Sequence, residues 1–70
     1  MYYIKSNITN KLLTVGMSKR TMRQVSVAMD DASFFEDASV IKMHYGRDGQ
    51  LHRVDCGTLS EYATICRKLA

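Results

Sequence analysis

Ser18, Lys19, Arg20 and Arg23 crowd one short stretch, and side chains of these types gather anions. If a helix starts at Ser18, its free first-turn N–H groups, the serine hydroxyl and three cations converge on a phosphate or a carboxylate. The order of charges fits such a use. The cations sit where a helix macrodipole is already positive and Asp30-Asp31 lie at the opposite end, each misplaced charge costing about a few tenths of a kcal/mol. A solvated polar face accounts for the same residues, and so does a hairpin, in which no helix dipole exists.

His44, His52, Cys56 and Cys66 are the side chains that could ligate zinc, but no CxxC or HxxxH element joins them. Pairing Met43 with Val54 in a hairpin puts the two histidines on opposite sheet faces. His52 and Cys56 are then roughly 13 Å apart along a strand. Neither cysteine has a neighbouring motif that positions a histidine, and no glycine-rich phosphate loop occurs. The expectation is a protein that is not an enzyme, with buried thiols and no metal or other cofactor.

The formal charge of +3 is unevenly spread. Asp30, Asp31, Glu36 and Asp37 fall within eight residues that contain no Lys or Arg, and Phe34 and Phe35 lie among them. Outside that corner ten basic residues face only Asp48, Asp55 and Glu61, near +7. A basic body with one acidic-aromatic corner suits a nucleic acid, an acidic protein surface or a mixed nucleoprotein. One of the two rings, Phe35 by preference, is expected to close the end of the core and the other to anchor in a partner.

A chain of 70 residues makes one domain, 1–70, that buries about 60% of its unfolded surface. So small a core has little stability to spare for strained catalytic geometry. No apolar run approaches a membrane span, and Met1-Tyr-Tyr-Ile-Lys lacks the pattern of a signal peptide. The expectation is a cytoplasmic protein with no membrane contact and reduced thiols, in which Asn7-Ile8-Thr9 belongs to a turn.

The elements that must position these residues are clearest from Val40 to Cys56. Two alternating segments flank Asp48-Gly49, which suits the centre of a two-residue type I′ hairpin loop. That loop pairs Tyr45 with His52, Met43 with Val54 and Ile41 with Cys56. Tyr2–Lys5 and Lys11–Met17 read as a first hairpin with a loose loop. Met22, Val25, Met29 and Ala32, with Ala28 alongside, form a helical stripe after the Ser18 cap. Gln24 to Met29 also alternates, so a strand is the competing reading there. Thr58-Leu59-Ser60-Glu61 is a capping box that opens a last helix with Leu59, Tyr62, Ile65, Cys66 and Leu69 inward. Arg67 and Lys68 suit the C-terminal end of its dipole. The order is β-β-α-β-β-α, an α+β domain whose four-stranded, mostly antiparallel sheet carries both helices on one face.

In this arrangement Tyr3, Lys5, Lys42, His44 and Arg53 share the uncovered face with Leu51 and Thr14. Open sheets with aromatics and cations stack bases and hold phosphates. A solvated face, or one covered by a partner protein, is the plainer reading, because Asp55 partly neutralises the patch.

With IKMHYGRDGQLHRVD as strand-turn-strand and TLSEYATICRKLA as capped helix, the chain resembles the small inhibitors that bacteriophages and mobile elements direct against host machinery, especially anti-CRISPR proteins. The resemblance lies in size and hairpin-helix plan and carries over no functional residue. It implies a non-catalytic inhibitor that docks on a host protein or nucleoprotein complex, with Lys19, Arg20 and Arg23 on a nucleic-acid-facing side or Asp30–Asp37 on a protein-facing one. The competing reading is a small regulator that binds RNA or DNA directly through Lys19, Arg20, Arg23, Lys42, His44 and Arg53. Homodimerisation through a sheet edge or the open face fits so small a core.

Overall fold

A computed structural model describes residues 1–28 and 36–69. It contains β1 (Tyr2–Ser6), α1 (Lys19–Ala28), β2 (Ala38–Tyr45), β3 (Leu51–Thr58) and α2 (Leu59–Leu69). The class is α+β, and the three strands form one antiparallel sheet in the order β1-β2-β3. The sheet is therefore three-stranded, not four-stranded.

The expected second strand, Lys11–Met17, follows the outer edge of β1 but meets it only at two isolated bridges, Tyr2 with Met17 and Lys5 with Leu12. Between those bridges this segment takes five residue steps against three on β1, so no regular ladder can form. Thr14 fills the gap: its Oγ1 accepts the Ile4 N–H at 3.1 Å, where a strand would offer a carbonyl. Leu13 and Val15, which share one side of the expected strand, are 48% and 82% exposed. A strand with no buried face has nothing to hold its register.

The β2–β3 hairpin is present, but its register is one residue away from the expected pairing. His44 lies opposite His52, Met43 opposite Arg53, Lys42 opposite Val54 and Ile41 opposite Asp55. The loop has three residues, Arg47 to Gly49: the Gly46 N–H donates to the Gln50 carbonyl (2.9 Å) and the Gly49 N–H to the Gly46 carbonyl (3.0 Å). Only Gly49 takes a positive φ, +75°, as in a turn closed by a glycine bulge. Asp48 stays out of the left-handed region and caps its own turn, its Oδ1 accepting the Gln50 N–H at 2.9 Å. An extra β3 residue between the Asp55 and Thr58 pairs, beside Gly57 at φ +97°, bends the strand into α2.

Residues 19–28 are helical, which settles the helix-or-strand alternative as far as the described residues reach. Ser18 caps α1 as expected, its Oγ accepting the Thr21 N–H at 3.2 Å. Met22 and Ser26 are buried and Val25 is half-buried, while Ala28 is exposed; Met29 and Ala32 lie outside the described residues. Ser26 is fully buried in what reads as a polar position, and it donates to the Met22 carbonyl at 2.8 Å. In α2 the Glu61 N–H donates to Thr58 Oγ1 at 3.2 Å, the first half of the capping box. The buried line is Leu59, Ala63 and Cys66; Ile65 and Leu69, expected inward, are 56% and 64% exposed.

The core joins Ile4, Ala38 and Val40 of the sheet to Met22 of α1 and Leu59 and Ala63 of α2. Ile4 pairs with Val40 and Ser6 with Ala38, so these side chains share one sheet face, and both helices cover it. Small residues such as Ala38 and Ala63 let backbones approach, and fully burying each larger side chain contributes roughly 1.5–3 kcal/mol.

Candidate functional site

Three cations meet at the start of α1. Lys19, Arg20 and Arg23 are exposed and line one shallow concavity of about 370 Å³. The first turn of α1 holds no acid and the last turn no base, so the helix charges stand against its dipole. Among the described residues no carboxylate forms an ion pair with any of the three. The Ser18 hydroxyl, expected to join them, is committed to its own helix: it accepts from the Thr21 N–H and donates to Thr21 Oγ1 at 2.9 Å. The serine hydroxyl therefore adds nothing for an anion, which would meet the three cations at the positive end of the helix dipole. On the flank of the core the Tyr2 and Tyr62 rings lie 6.3 Å apart. Burial pushes the Tyr62 phenol up, and Arg23 opposes that shift.

The one-residue register change redistributes the open-face candidates. Tyr3 pairs with Ile41 and Lys5 with Ser39, while Arg53 stands opposite Met43. These residues share the face turned away from the helices. Lys42 and His44 do not belong to it. Lys42 pairs with Tyr2 and Val54 on the helix side, its Nζ 6.0 Å from the centre of the Tyr2 ring, at the outer limit of a cation–π contact. His44 lies on the same side, stacked on His52 with ring centroids 5.8 Å apart. The two histidines are thus neighbours on one face, not on opposite faces. Thr14 also leaves the open face for the edge of β1.

Met43 and Tyr45 take the vacated places, while Ile41, on the same side of the sheet, is fully buried. Met1, Tyr3, Met43, His44, Tyr45 and Leu51 line a hollow of about 360 Å³, with Tyr45 76% and Leu51 58% exposed. This surface is more apolar than the sequence reading gave. Tyr3 and Leu51 were already expected on the open face, whereas Met43 and Tyr45 were assigned to the core face by the type I′ register. The signal that could have corrected them is Gly46, which allows the hairpin to close outside Arg47.

His52 Nε2 also lies 3.0 Å from Asp48 Oδ1. The Gln50 N–H and the His52 ring hold the Asp48 carboxyl below its ordinary value. Among the described residues no three His, Cys, Asp or Glu side chains converge as a metal site would require. Cys56 is half-buried and Cys66 buried, both as free thiols.

Comparison with known protein families, curated proteins and solved structures finds no match. The site has to be read from its own chemistry. Of the acidic-aromatic corner, Asp30, Asp31, Phe34 and Phe35 lie outside the described residues. Glu36 and Asp37 are exposed, and the Asp37 carbonyl accepts the Asn7 N–H at 2.7 Å. No helix among the described residues is long and apolar enough to cross a membrane.

Proposed function

We propose that this chain is a small non-catalytic binding protein of the bacterial cytoplasm that docks on a host nucleoprotein complex and blocks its engagement with nucleic acid. This is the role implied by its resemblance to anti-CRISPR-type inhibitors. One observation carries the reading: Lys19, Arg20 and Arg23 line a single concavity without a carboxylate partner among the described residues. Guanidinium groups grip phosphate oxygens in pairs, and a lysine adds a compact charge that steers approach. The apolar hollow around Tyr3, Met43, Tyr45 and Leu51 supports a protein-facing contact on the same complex, because aromatic and methionine side chains make the anchors of such surfaces.

Direct binding of RNA or DNA by a sheet surface is less well supported. Lys42 and His44 stand on the face opposite Arg53, so that alternative keeps Arg53 alone on the open sheet beside the α1 cluster.

The test is capture from bacterial lysate with tagged protein, with and without nuclease, beside a Lys19→Ala/Arg20→Ala/Arg23→Ala variant. A stoichiometric complex that survives nuclease and falls at least about tenfold in the variant is the expected outcome. Capture that vanishes with nuclease, together with steeply salt-dependent binding to free nucleic acid, replaces this reading with the direct binder. No capture in either condition removes both.

A further inference from the structure

The sheet has two edges, and the fold treats them differently. The outer edge of β1 is occupied by residues 11–17, through bonds such as Tyr2 N–H to the Met17 carbonyl (2.8 Å) and Leu13 N–H to the Ile4 carbonyl (2.7 Å). The outer edge of β3 has no strand beside it among the described residues. Its segment from Leu51 to Asp55 is regularly paired with β2, and every residue of it is exposed. Bare edges of this kind are templates for another strand.

The direction of the backbone groups along that edge follows from the loop. Gly46 and Gln50 form a hydrogen-bonded pair, so the alternation of an antiparallel ladder makes Met43–Arg53 and Ile41–Asp55 non-bonded pairs. Met43 agrees, because its N–H donates away from β3 to the Met1 carbonyl at 2.8 Å. Arg53 and Asp55 therefore turn their N–H and C=O groups outward. Their side chains share one face and carry opposite charge.

A strand that pairs with its own copy about a two-fold axis places one residue opposite itself. Centring on Arg53 or on Asp55 sets like charges against each other. Centring on Val54 sets Arg53 opposite Asp55 of the second copy, twice, with each such pair exchanging its backbone bonds. Val54, 45% exposed, then meets its own counterpart on the helix side. Charge, hydrogen-bonding direction and apolar contact agree only in this register. We infer that the protein forms a two-fold homodimer by antiparallel pairing of β3 with β3 of a second copy, centred on Val54, giving one continuous six-stranded sheet.

The mass in solution tests this directly. Analytical ultracentrifugation over a wide concentration range is expected to show the 8.0 kDa chain passing to twice that mass. Arg53→Asp and Asp55→Arg each put like charges opposite one another and should each weaken association by roughly tenfold or more. An equimolar mixture of the two variants restores opposite charges at both pairs, so it should recover a heterodimer. Circular dichroism checks that each variant is folded, because Asp55 Oδ1 also accepts the Gly57 N–H at 2.8 Å. Arg53→Pro is an independent variant: it removes an outward donor, leaves the β2 ladder intact, and should leave the chain monomeric. A chain that stays at 8.0 kDa throughout overturns the inference. So does a dimer indifferent to all three variants, or one dispersed by Tyr45→Glu on the open face instead.

Discussion

At the scale of single residues, side chains that look like functional polar groups are bound into local structure. Ser18 closes on Thr21, Thr14 serves Ile4, and Asp48 holds its own turn. Asp48 makes this measurable. Its pKa is lowered in the folded state by the Gln50 N–H first and the His52 ring second. A depressed carboxylate contributes stability above its unfolded pKa and loses it as pH falls through the folded value. We predict that the Gln50 amide, followed by NMR through an acid titration, shifts with a midpoint below the ordinary aspartate value, and that Asp48→Asn abolishes that transition. A Gln50 midpoint at the ordinary value would remove the capping role. The contribution is small, since the group is exposed to solvent.

At the scale of elements, the cap residues and both helices were legible in the sequence, because Ser18 and Thr58 act through hydrogen bonds to N–H groups three residues on. The register of the hairpin was not. Asp48-Gly49 suits a two-residue loop, but Gly46 lets the ladder close one step further out, and a single step exchanges Lys42 and His44 for Met43 and Tyr45 on the open face. The missing fourth strand has a comparable cause. Alternation in Lys11–Met17 was visible, yet Leu12, Leu13 and Val15 face water, only Met17 packs against the core, and Thr14 supplies the bond a strand would make. Thr14→Val keeps the shape and removes the acceptor, which leaves the partly buried Ile4 N–H unpaired. We predict a loss of about 1–2 kcal/mol in urea unfolding, with Thr14→Ser retaining most of the stability. Equal stability of the valine and serine variants would show that the hydroxyl is dispensable.

At the scale of the whole molecule, the segregation of charge could be read from composition, while the grouping of Lys19, Arg20 and Arg23 into one concavity needed the helix to be real. The open face needed the correct register, and the free β3 edge needed the strand count. The sheet also has a temporal consequence. Its central strand, β2, is bound on one side by its immediate successor in the chain and on the other by β1, where Ile4 meets Val40 across a long intervening segment. Closing that long loop costs entropy before any contact offsets it, whereas the hairpin and α2 close locally. We therefore predict that residues 38–69 organise the folding nucleus and that β1 docks late. Ile4→Val should accelerate unfolding and leave the folding rate nearly unchanged in stopped-flow measurements, while a slowed folding arm would place β1 in the nucleus. On that order of events the hairpin has two bare edges, that of β2 until β1 docks and that of β3 throughout. The β3 edge that the proposed dimer would use is exposed during synthesis, when encounters between incomplete chains are most hazardous, and the alternating charges at Arg53 and Asp55 restrict which registers such encounters can take.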